Sequence, residues 1–175
     1  MKGLVLPPKV AQIQVVVVPC GITVKTASAD RVKVYEKAEA LEKALKASGI
    51  RAKADLRDNY TPGYKFNDWE LRGVPIRLEV GPKDLAKNEV RCVKRYNSEV
   101  SQISMNSLES QISAMLESIQ AGMFAKAKSE RDARLIRLET WDRFVEVLNQ
   151  KCIILSPWCE EFVCEESVKE RSSRT

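Results

Sequence analysis

The stretch IQVVVVPCG, at residues 13–21, decides the fold because it contains four valines in a row from Val15. A short, nearly continuous run of β-branched residues is typical of a strand that is buried on both faces, as in a parallel sheet with helices above and below. Pro19 and Gly21 then end the run. We therefore expect this stretch to be a central strand of an α/β sheet.

A helix and a second strand are predicted to follow. We expect Asp30 to cap the helix and Gly49 to end it; between them, apolar residues recur at helical spacing, namely Val34, Ala38, Leu41 and Leu45. Residues 50–56 alternate between apolar and polar side chains, which is typical of a strand with one polar face. Together these elements form a βαβ unit, whose crossover is almost always right-handed.

The block DLRDNYTPGYKFNDWELRGVPIRLEVGPKD, at residues 55–84, predicts a short helix and a third strand. Thr61 and Pro62 have the residue types of a helix N-cap and a first helical position, and we expect the helix to reach about Arg72. Alternating apolar residues over 74–80 predict the strand, which a glycine–proline pair then ends.

The remaining sequence predicts a hairpin over residues 89–104, a long helix and the start of a small α+β unit. One apolar face marks the long helix: Met105, Leu108, Ile112, Met115, Leu116, Ile119 and Met123. After residues 129–131 the pattern changes to short apolar runs around a further helix. We therefore expect two domains, an α/β domain over residues 1–127 and a partial α+β segment over residues 128–175.

The composition excludes several kinds of catalytic site. The sequence has no histidine, which excludes Ser-His-Asp and Cys-His nucleophilic sites, HExxH zinc sites and a histidine general base. Its seven glycines form neither a Walker loop nor a GxGxxG run. We therefore expect no catalytic residue in this chain.

The charge is distributed unevenly along the chain. The net charge is +5, but residues 1–100 carry a net charge of +7 and residues 101–175 a net charge of −2. A basic first half favours a polyanionic partner such as nucleic acid, while a well-solvated basic surface explains the charge equally well. The five cysteines do not have the spacing of a disulfide framework, and no apolar stretch reaches the roughly 18 residues of a membrane span. We expect a cytoplasmic protein that does not bind membranes.

Four residues of the block at 55–84 are expected to converge at the carboxyl end of the third strand. Phe66 and Glu70 are four residues apart on one helix face, Arg77 lies on the polar face of the strand, and Lys83 follows the strand together with Asp84. Arginine can donate two hydrogen bonds to guanine, a carboxylate can accept from the N–H groups of guanine, and an aromatic ring can stack on an unpaired base. These residue types favour binding of single-stranded nucleic acid.

Each of these residues also has a purely structural interpretation. Judged alone, Phe66 and Trp69 fit core residues better than platforms for a base, and Glu70 can form an ordinary ion pair with Arg77 or Lys83. From the residues alone, a domain that binds a protein or a small ligand therefore remains an alternative.

Two segments carry a resemblance to a known family. GLVLPPKVAQIQVVVVPCG and the block at 55–84 resemble the anticodon-binding region of archaeal/eukaryotic-type prolyl-tRNA synthetases, a group that includes the bifunctional glutamyl-prolyl enzyme. The resemblance covers residues 3–127 and extends to about residue 168. It implies the fold shared by several class II synthetases, an α/β domain with a mixed five-stranded sheet flanked by helices.

The resemblance also implies a function. The family reads the two guanosines of the proline anticodon, and the motif positions that it uses match Phe66, Glu70, Arg77, Lys83 and Asp84. Arg77 and Lys83 are then the expected direct base readers, and proline tRNA is the expected partner. The rival hypothesis is a non-catalytic domain of the same fold that serves protein interaction or dimerisation; the retained set of base-contacting residues argues against it.

Two further expectations follow from the resemblance. Cys159 and Cys164 match the first two ligands of a four-cysteine zinc site, so zinc binding would require a complete C-terminal domain. The catalytic core of the family, which binds ATP with magnesium and proline, precedes the matching region. We therefore expect the chain to be a C-terminal fragment that recognises tRNA, and its parent to be a homodimeric ligase that charges proline tRNA.

Overall fold

The valine run forms β1 (Val15–Pro19), and every residue of this strand is buried. The computed structural model describes residues 3–23 and 26–173. The chain divides into two compact units, Met1–Met123 and Phe124–Thr175. The boundary between the units falls inside the long helix Leu108–Asp132.

The first unit is built on a five-stranded sheet. After β1, its strands are β2 (Ala52–Ala54), β3 (Ile76–Val80), β4 (Glu89–Lys94) and β5 (Val100–Ser104). The strand order is β2-β1-β3-β4-β5, with β1 parallel to both of its neighbours and the other two pairs antiparallel. The predicted mixed five-stranded α/β fold is therefore confirmed.

Four helices accompany the sheet: α1 (Ser28–Ala47), α2 (Pro62–Leu71), α3 (Pro82–Lys87) and α4 (Leu108–Asp132). A short 3₁₀ turn, Met105–Ser107, leads into α4. Among the helices of the described residues, none has both the length and the apolar character needed to cross a membrane.

The two faces of the sheet have different neighbours because successive side chains of a strand point to opposite sides. On one face, Val15 and Val17 belong to the main apolar core together with residues of α1 and α4. On the other face, Val16 and Val18 pack with Trp69 of α2. Burial on both faces explains why the sequence of β1 is a continuous run of valines.

Two details of the first unit differ from the sequence prediction. Asp30 does not cap α1: the helix begins at Ser28, and Asp30 lies in its first turn. The Gly81–Pro82 pair does more than end β3, because Pro82 begins α3, a helix that the sequence analysis missed. Proline suits this first helical position because its fixed φ is already helical and its missing N–H is not needed there.

The second unit is a small α+β structure. Two short parallel strands, β6 (Leu135–Arg137) and β7 (Ile153–Leu155), are joined through α5 (Trp141–Asn149), and α6 (Phe162–Ser173) follows. The strand–helix–strand order matches the pattern predicted for this region, whereas α6 was not predicted.

Candidate nucleic-acid interface

On the face of the sheet that α2 contacts, the side chains change from apolar to charged between β1 and β3. The register pairs Val16 with Arg77 and Val18 with Glu79. α2 packs over the valines through Trp69, and its Phe66 side reaches the charged positions. The helix thus brings its own polar residues next to those of β3.

Four of these residues form what we call the Arg77 cluster: Phe66, Glu70, Arg77 and Glu79. Arg77 Nη1 donates a hydrogen bond to Glu70 Oε1 over 2.5 Å, and Arg77 Nε donates to Glu79 Oε1 over 3.0 Å. The guanidinium carbon lies 4.1 Å from the centre of the Phe66 ring, a cation–π distance. The fold therefore brings together three of the five residues that the sequence analysis singled out.

The cluster is buried on one side and open on the other. The side chain of Arg77 is 14% exposed and that of Glu79 is 9% exposed, whereas Glu70 is 45% exposed. Phe66 is half-buried and packs against the small apolar core under α2. Phe66 is therefore partly a core residue, and Glu70 and Arg77 form an ion pair, as their structural interpretations predict.

Lys83 and Asp84 lie elsewhere. Both belong to the first turn of α3, beyond the carboxyl end of β3, whereas Arg77 is only the second residue of that strand. Within the described part of the chain, no hydrogen bond or ion pair joins either residue to the Arg77 cluster. The structure therefore does not bring all the predicted residues together at the carboxyl end of β3.

Asp84 has a local structural role, while Lys83 is exposed. Asp84 Oδ2 accepts the backbone N–H of Gly81 over 2.8 Å, which satisfies a free amide at the start of α3. The side chain of Lys83 points into solvent. A lysine in this setting is available to a phosphate or a base.

Two residues near Arg77 were not among the predicted site residues: Glu79, and Arg91, which pairs with Glu79. Arg91 Nη1 lies 3.8 Å from Glu79 Oε2, and the two residues are directly opposite each other in the β3–β4 register. The two-residue spacing of Arg77 and Glu79 could have revealed that they share a strand face. The register with Arg91 depends on the connection between β3 and β4, which contains the helix that was not predicted.

Acidic groups also influence the end of β1. Burial, followed by the charges of Glu79 and Asp84, raises the pKa of Cys20 to about 11. The thiol therefore stays protonated at neutral pH, which argues against a reactive thiolate here. Cys20 is thus a structural neighbour of the interface.

A second charged cluster lies on the other side of α2. We call it the Asp55 cluster, and its members are linked by hydrogen bonds: Asp55, Arg57, Lys65, Asp68 and Trp69. Asp55 is buried and accepts hydrogen bonds from Arg57 Nε over 2.8 Å and from Trp69 Nε1 over 2.7 Å. Arg57 Nη2 also donates to Asp68 Oδ2 over 2.9 Å. Burial alone would raise the pKa of Asp55, but the hydrogen bonds from Arg57 and Trp69 lower it below its usual value.

This arrangement of sheet and α2 agrees with the comparison with known protein families. The family described as "Anticodon binding domain" matches residues 14–115, which include β1 to β5 and the Arg77 cluster. The chain belongs to this family.

Relatives of this anticodon-binding domain are proline–tRNA ligases. The chain is 47% identical over 171 residues to the cytoplasmic proline–tRNA ligase of Arabidopsis thaliana, covering 98% of the chain and 32% of the relative. It is 46% identical over 173 residues to the bifunctional glutamate/proline–tRNA ligase of Drosophila melanogaster, covering 99% of the chain and 10% of the relative. The chain thus spans a third or less of the length of these two relatives.

A solved structure has the same fold. The crystal structure of the prolyl-tRNA synthetase of Cryptosporidium parvum, complexed with L-proline and AMP, matches with a TM-score of 0.87 and 44% identity. The match covers 99% of this chain and 36% of that structure's chain. The resemblance inferred from the sequence is therefore confirmed.

The second unit contains the two predicted zinc ligands. Both thiols are exposed, and they are close enough to interact: a backbone hydrogen bond at Glu161 and then the thiol of Cys164 lower the pKa of Cys159. The described residues contain no cluster of three or more histidine, cysteine or acidic residues able to hold a metal ion. Two thiols are half of a tetrahedral zinc set, so the described residues do not form a complete zinc site.

Proposed function

We propose that the Arg77 cluster reads guanosine in the anticodon of proline tRNA, and that the chain is the tRNA-recognising part of a proline–tRNA ligase. The observation that supports this most directly is the contact between Arg77 Nη1 and the exposed Glu70 carboxylate. The contact puts a cationic donor and an anionic acceptor side by side at the surface. Guanine presents the complementary pair, an acceptor at O6 beside donors at N1 and N2.

Each residue of the cluster has a defined role in this proposal. Arg77 donates to guanine, and Glu70 moves from Arg77 to accept from the N–H groups of the base. Phe66 supports the guanidinium through one ring face, at 4.1 Å, and limits its movement. Because hydrogen bonds that involve a charged group are about twice as strong as neutral ones, a base that lacks the guanine pattern loses much of the gain.

We propose that Lys83 contacts the anticodon at a second position and that Asp84 supports this contact from the first turn of α3. The anticodon of proline tRNA carries two adjacent guanosines, and single-stranded bases bound by proteins are often splayed apart. Lys83 is exposed at the start of α3, so its ammonium group can reach a base or a phosphate there. Asp84 holds the first turn of α3 in place through its contact with Gly81, and so fixes the position of Lys83.

The test is a titration of labelled RNA with the 175-residue chain. One RNA is a stem-loop with the UGG anticodon, and its matched control has both guanosines changed to adenosine. We expect tighter binding to the UGG stem-loop, measured by fluorescence anisotropy. Equal affinity for the two RNAs, or no binding to either, would contradict the proposal and favour a protein-interaction role.

We further propose that this domain acts within a longer, cytoplasmic ligase that uses ATP and magnesium to attach proline to tRNA and that works as a homodimer. The relatives support the reaction, since they are proline–tRNA ligases and the matching crystal structure contains L-proline and AMP. The 175-residue chain itself should give no proline-dependent exchange between ATP and pyrophosphate above background. Such exchange by the purified chain would show that our assignment of roles is wrong.

A further inference from the structure

Arg77 has two carboxylate partners, and the two are placed very differently. Glu79 contacts the edge of the guanidinium that carries Nε and Nη2, with both nitrogens 3.0 Å from its Oε1. Glu70 contacts Nη1, at the far end of the guanidinium. A guanidinium has five N–H donors in a fixed planar fork, so a partner on one edge determines the direction of the other.

Burial makes these partners unequal. Glu79 lies on an interior strand and its side chain is 9% exposed, whereas the Glu70 side chain is 45% exposed on a helix surface. Water or RNA can replace Glu70 at little cost, but the removal of Glu79 would leave a largely buried guanidinium without its inner partner. The contact that changes on RNA binding must therefore be the outer one.

Glu79 is itself held in place. Its other oxygen, Oε2, lies 3.8 Å from Arg91 Nη1 on the neighbouring strand, and the backbone of Glu79 is paired on both sides within the sheet. The carboxylate is thus fixed by its place on β3, because an ion pair of 3.8 Å to an arginine that is 49% exposed contributes little. A fixed anion of this kind can determine the orientation of Arg77 before any ligand arrives.

We propose that Glu79 is a positioning residue for base recognition: it holds the Nε–Nη2 edge of Arg77 so that the Nη1 end faces the incoming guanine. This inference rests on the function proposed above and adds to it a residue that does not touch the RNA. Without Glu79, Arg77 keeps its charge but loses its direction. Attraction to RNA then persists while discrimination between bases falls, because a bidentate contact requires a defined geometry.

The experiment measures a ratio of affinities rather than a single affinity. The 175-residue chain and its Glu79→Ala and Glu79→Gln variants are titrated with the UGG stem-loop and with the stem-loop that carries adenosine at both guanosine positions. We expect Glu79→Ala to reduce the preference for UGG about 10-fold, the low end of what one bidentate base contact contributes. Affinity for the adenosine stem-loop should change less than 2-fold, because Arg77 keeps its charge and no contact to a phosphate is lost.

Glu79→Gln serves as the conservative variant. The glutamine amide oxygen can still accept from Arg77 Nε, so this variant should retain a preference between those of the wild type and Glu79→Ala. It also keeps the volume of the side chain, which covers the case in which Glu79→Ala does not fold. If the alanine variant is unfolded by circular dichroism, the glutamine variant alone must show the reduced preference.

Arg91→Gln is the matched control, because it removes the other partner of Glu79 and lies on the same strand face. Its preference ratio should equal that of the wild type, even if its affinity for both RNAs is lower. An unchanged ratio in folded Glu79→Ala, or an equal loss of affinity for both RNAs, would overturn the inference. A wild-type chain with no preference at all would instead refute the proposed function, so the two failures are distinguishable.

Discussion

Arg57 and Arg77 both contact α2, and each lies between two carboxylates, yet their surroundings differ. Arg57 is held by Asp55, which is 1% exposed, and by Asp68, which is 19% exposed; Trp69 donates to the same Asp55. Arg77 is held by the buried Glu79 and by Glu70, which is 45% exposed. The outer carboxylate is therefore much better covered in the Asp55 cluster than in the Arg77 cluster, although the Arg57 side chain is itself 35% exposed.

On this difference we base the proposal that the Arg77 cluster binds RNA and that the Asp55 cluster is structural. In the Asp55 cluster the buried carboxylate accepts hydrogen bonds from three groups: the Arg57 backbone N–H, the Arg57 guanidinium and the Trp69 indole. A ligand therefore cannot enter without breaking several contacts. In the Arg77 cluster the outer carboxylate makes one contact to Arg77 and can exchange it for a base. A change in the first cluster should therefore affect stability, and a change in the second should affect specificity.

The largest expected effect is on stability, from Asp55→Asn. This change removes the buried negative charge that Arg57 and the Trp69 indole contact, and it places an amide N–H₂ group beside two donors. We expect the free energy of unfolding to fall by about 3 kcal/mol, the low end for breaking a buried ion pair, because Arg57 keeps Asp68. Urea unfolding followed by circular dichroism measures the change.

A control for that prediction is Asp68→Asn, which removes the partly exposed partner of Arg57 and leaves the buried one. The free energy of unfolding should fall clearly less in Asp68→Asn than in Asp55→Asn. Equal costs would mean that burial does not distinguish the two carboxylates, and the comparison between the clusters would lose its physical basis.

The next effect is on specificity, from Arg77→Ala. A bidentate contact to guanine discriminates against other bases by roughly 1–3 kcal/mol, so this variant should lose most of its preference for the UGG stem-loop. Residual, salt-sensitive binding should remain. Glu70→Gln should act in the same direction but less strongly, because its amide oxygen can still accept a hydrogen bond.

Lys43→Ala is the control for the specificity variants, because Lys43 lies on the exposed face of α1. It should weaken binding to both stem-loops slightly or not at all. If Arg77→Ala instead weakened binding to both RNAs equally, with the fold intact by circular dichroism, Arg77 would be a phosphate contact.

The Asp55 cluster should also give stability a dependence on pH. The pKa of Asp55 is lower in the folded chain than in an unfolded one, so its contribution is fully present above the unfolded value of about 4 and is lost as the pH falls through the folded value. We expect urea unfolding to show a loss of stability below about pH 4 that is smaller in Asp55→Asn. Parallel plots of the free energy of unfolding against pH for the two proteins would contradict the lowered pKa of Asp55.

The sequence was sufficient to predict much of this arrangement, and local spacing explains why. Four consecutive valines predict an interior strand, and the four-residue spacing of Phe66 and Glu70 predicts that they share a helix face. The charged partners were harder to predict. The sequence cannot give the register that places Glu79 opposite Arg91, because it depends on how the chain crosses from β3 to β4.

The connection between β3 and β4 also contains α3, the helix that the sequence did not predict. The segment PKDLAK of α3 is too short to show a helical apolar repeat, and only Leu85 packs against the main core. Its helix depends on Pro82 at the first position and on the Asp84–Gly81 contact. As a result, Lys83 and Asp84 lie at the other end of β3 from Arg77 and not beside it, where the sequence had predicted them.

The smallest expected effect concerns Lys83 and tests whether α3 belongs to the interface. Lys83 and Lys87 are both exposed and four residues apart on α3, so they have the same charge in similar settings. If Lys83 contacts RNA through a phosphate, Lys83→Ala should reduce the slope of log affinity against log salt by about 0.7 for single-stranded RNA, while Lys87→Ala should leave it unchanged. If Lys83 reads a base instead, its loss should also reduce the preference for UGG. Identical behaviour of the two variants, with both properties unchanged, would restrict the interface to the Arg77 cluster.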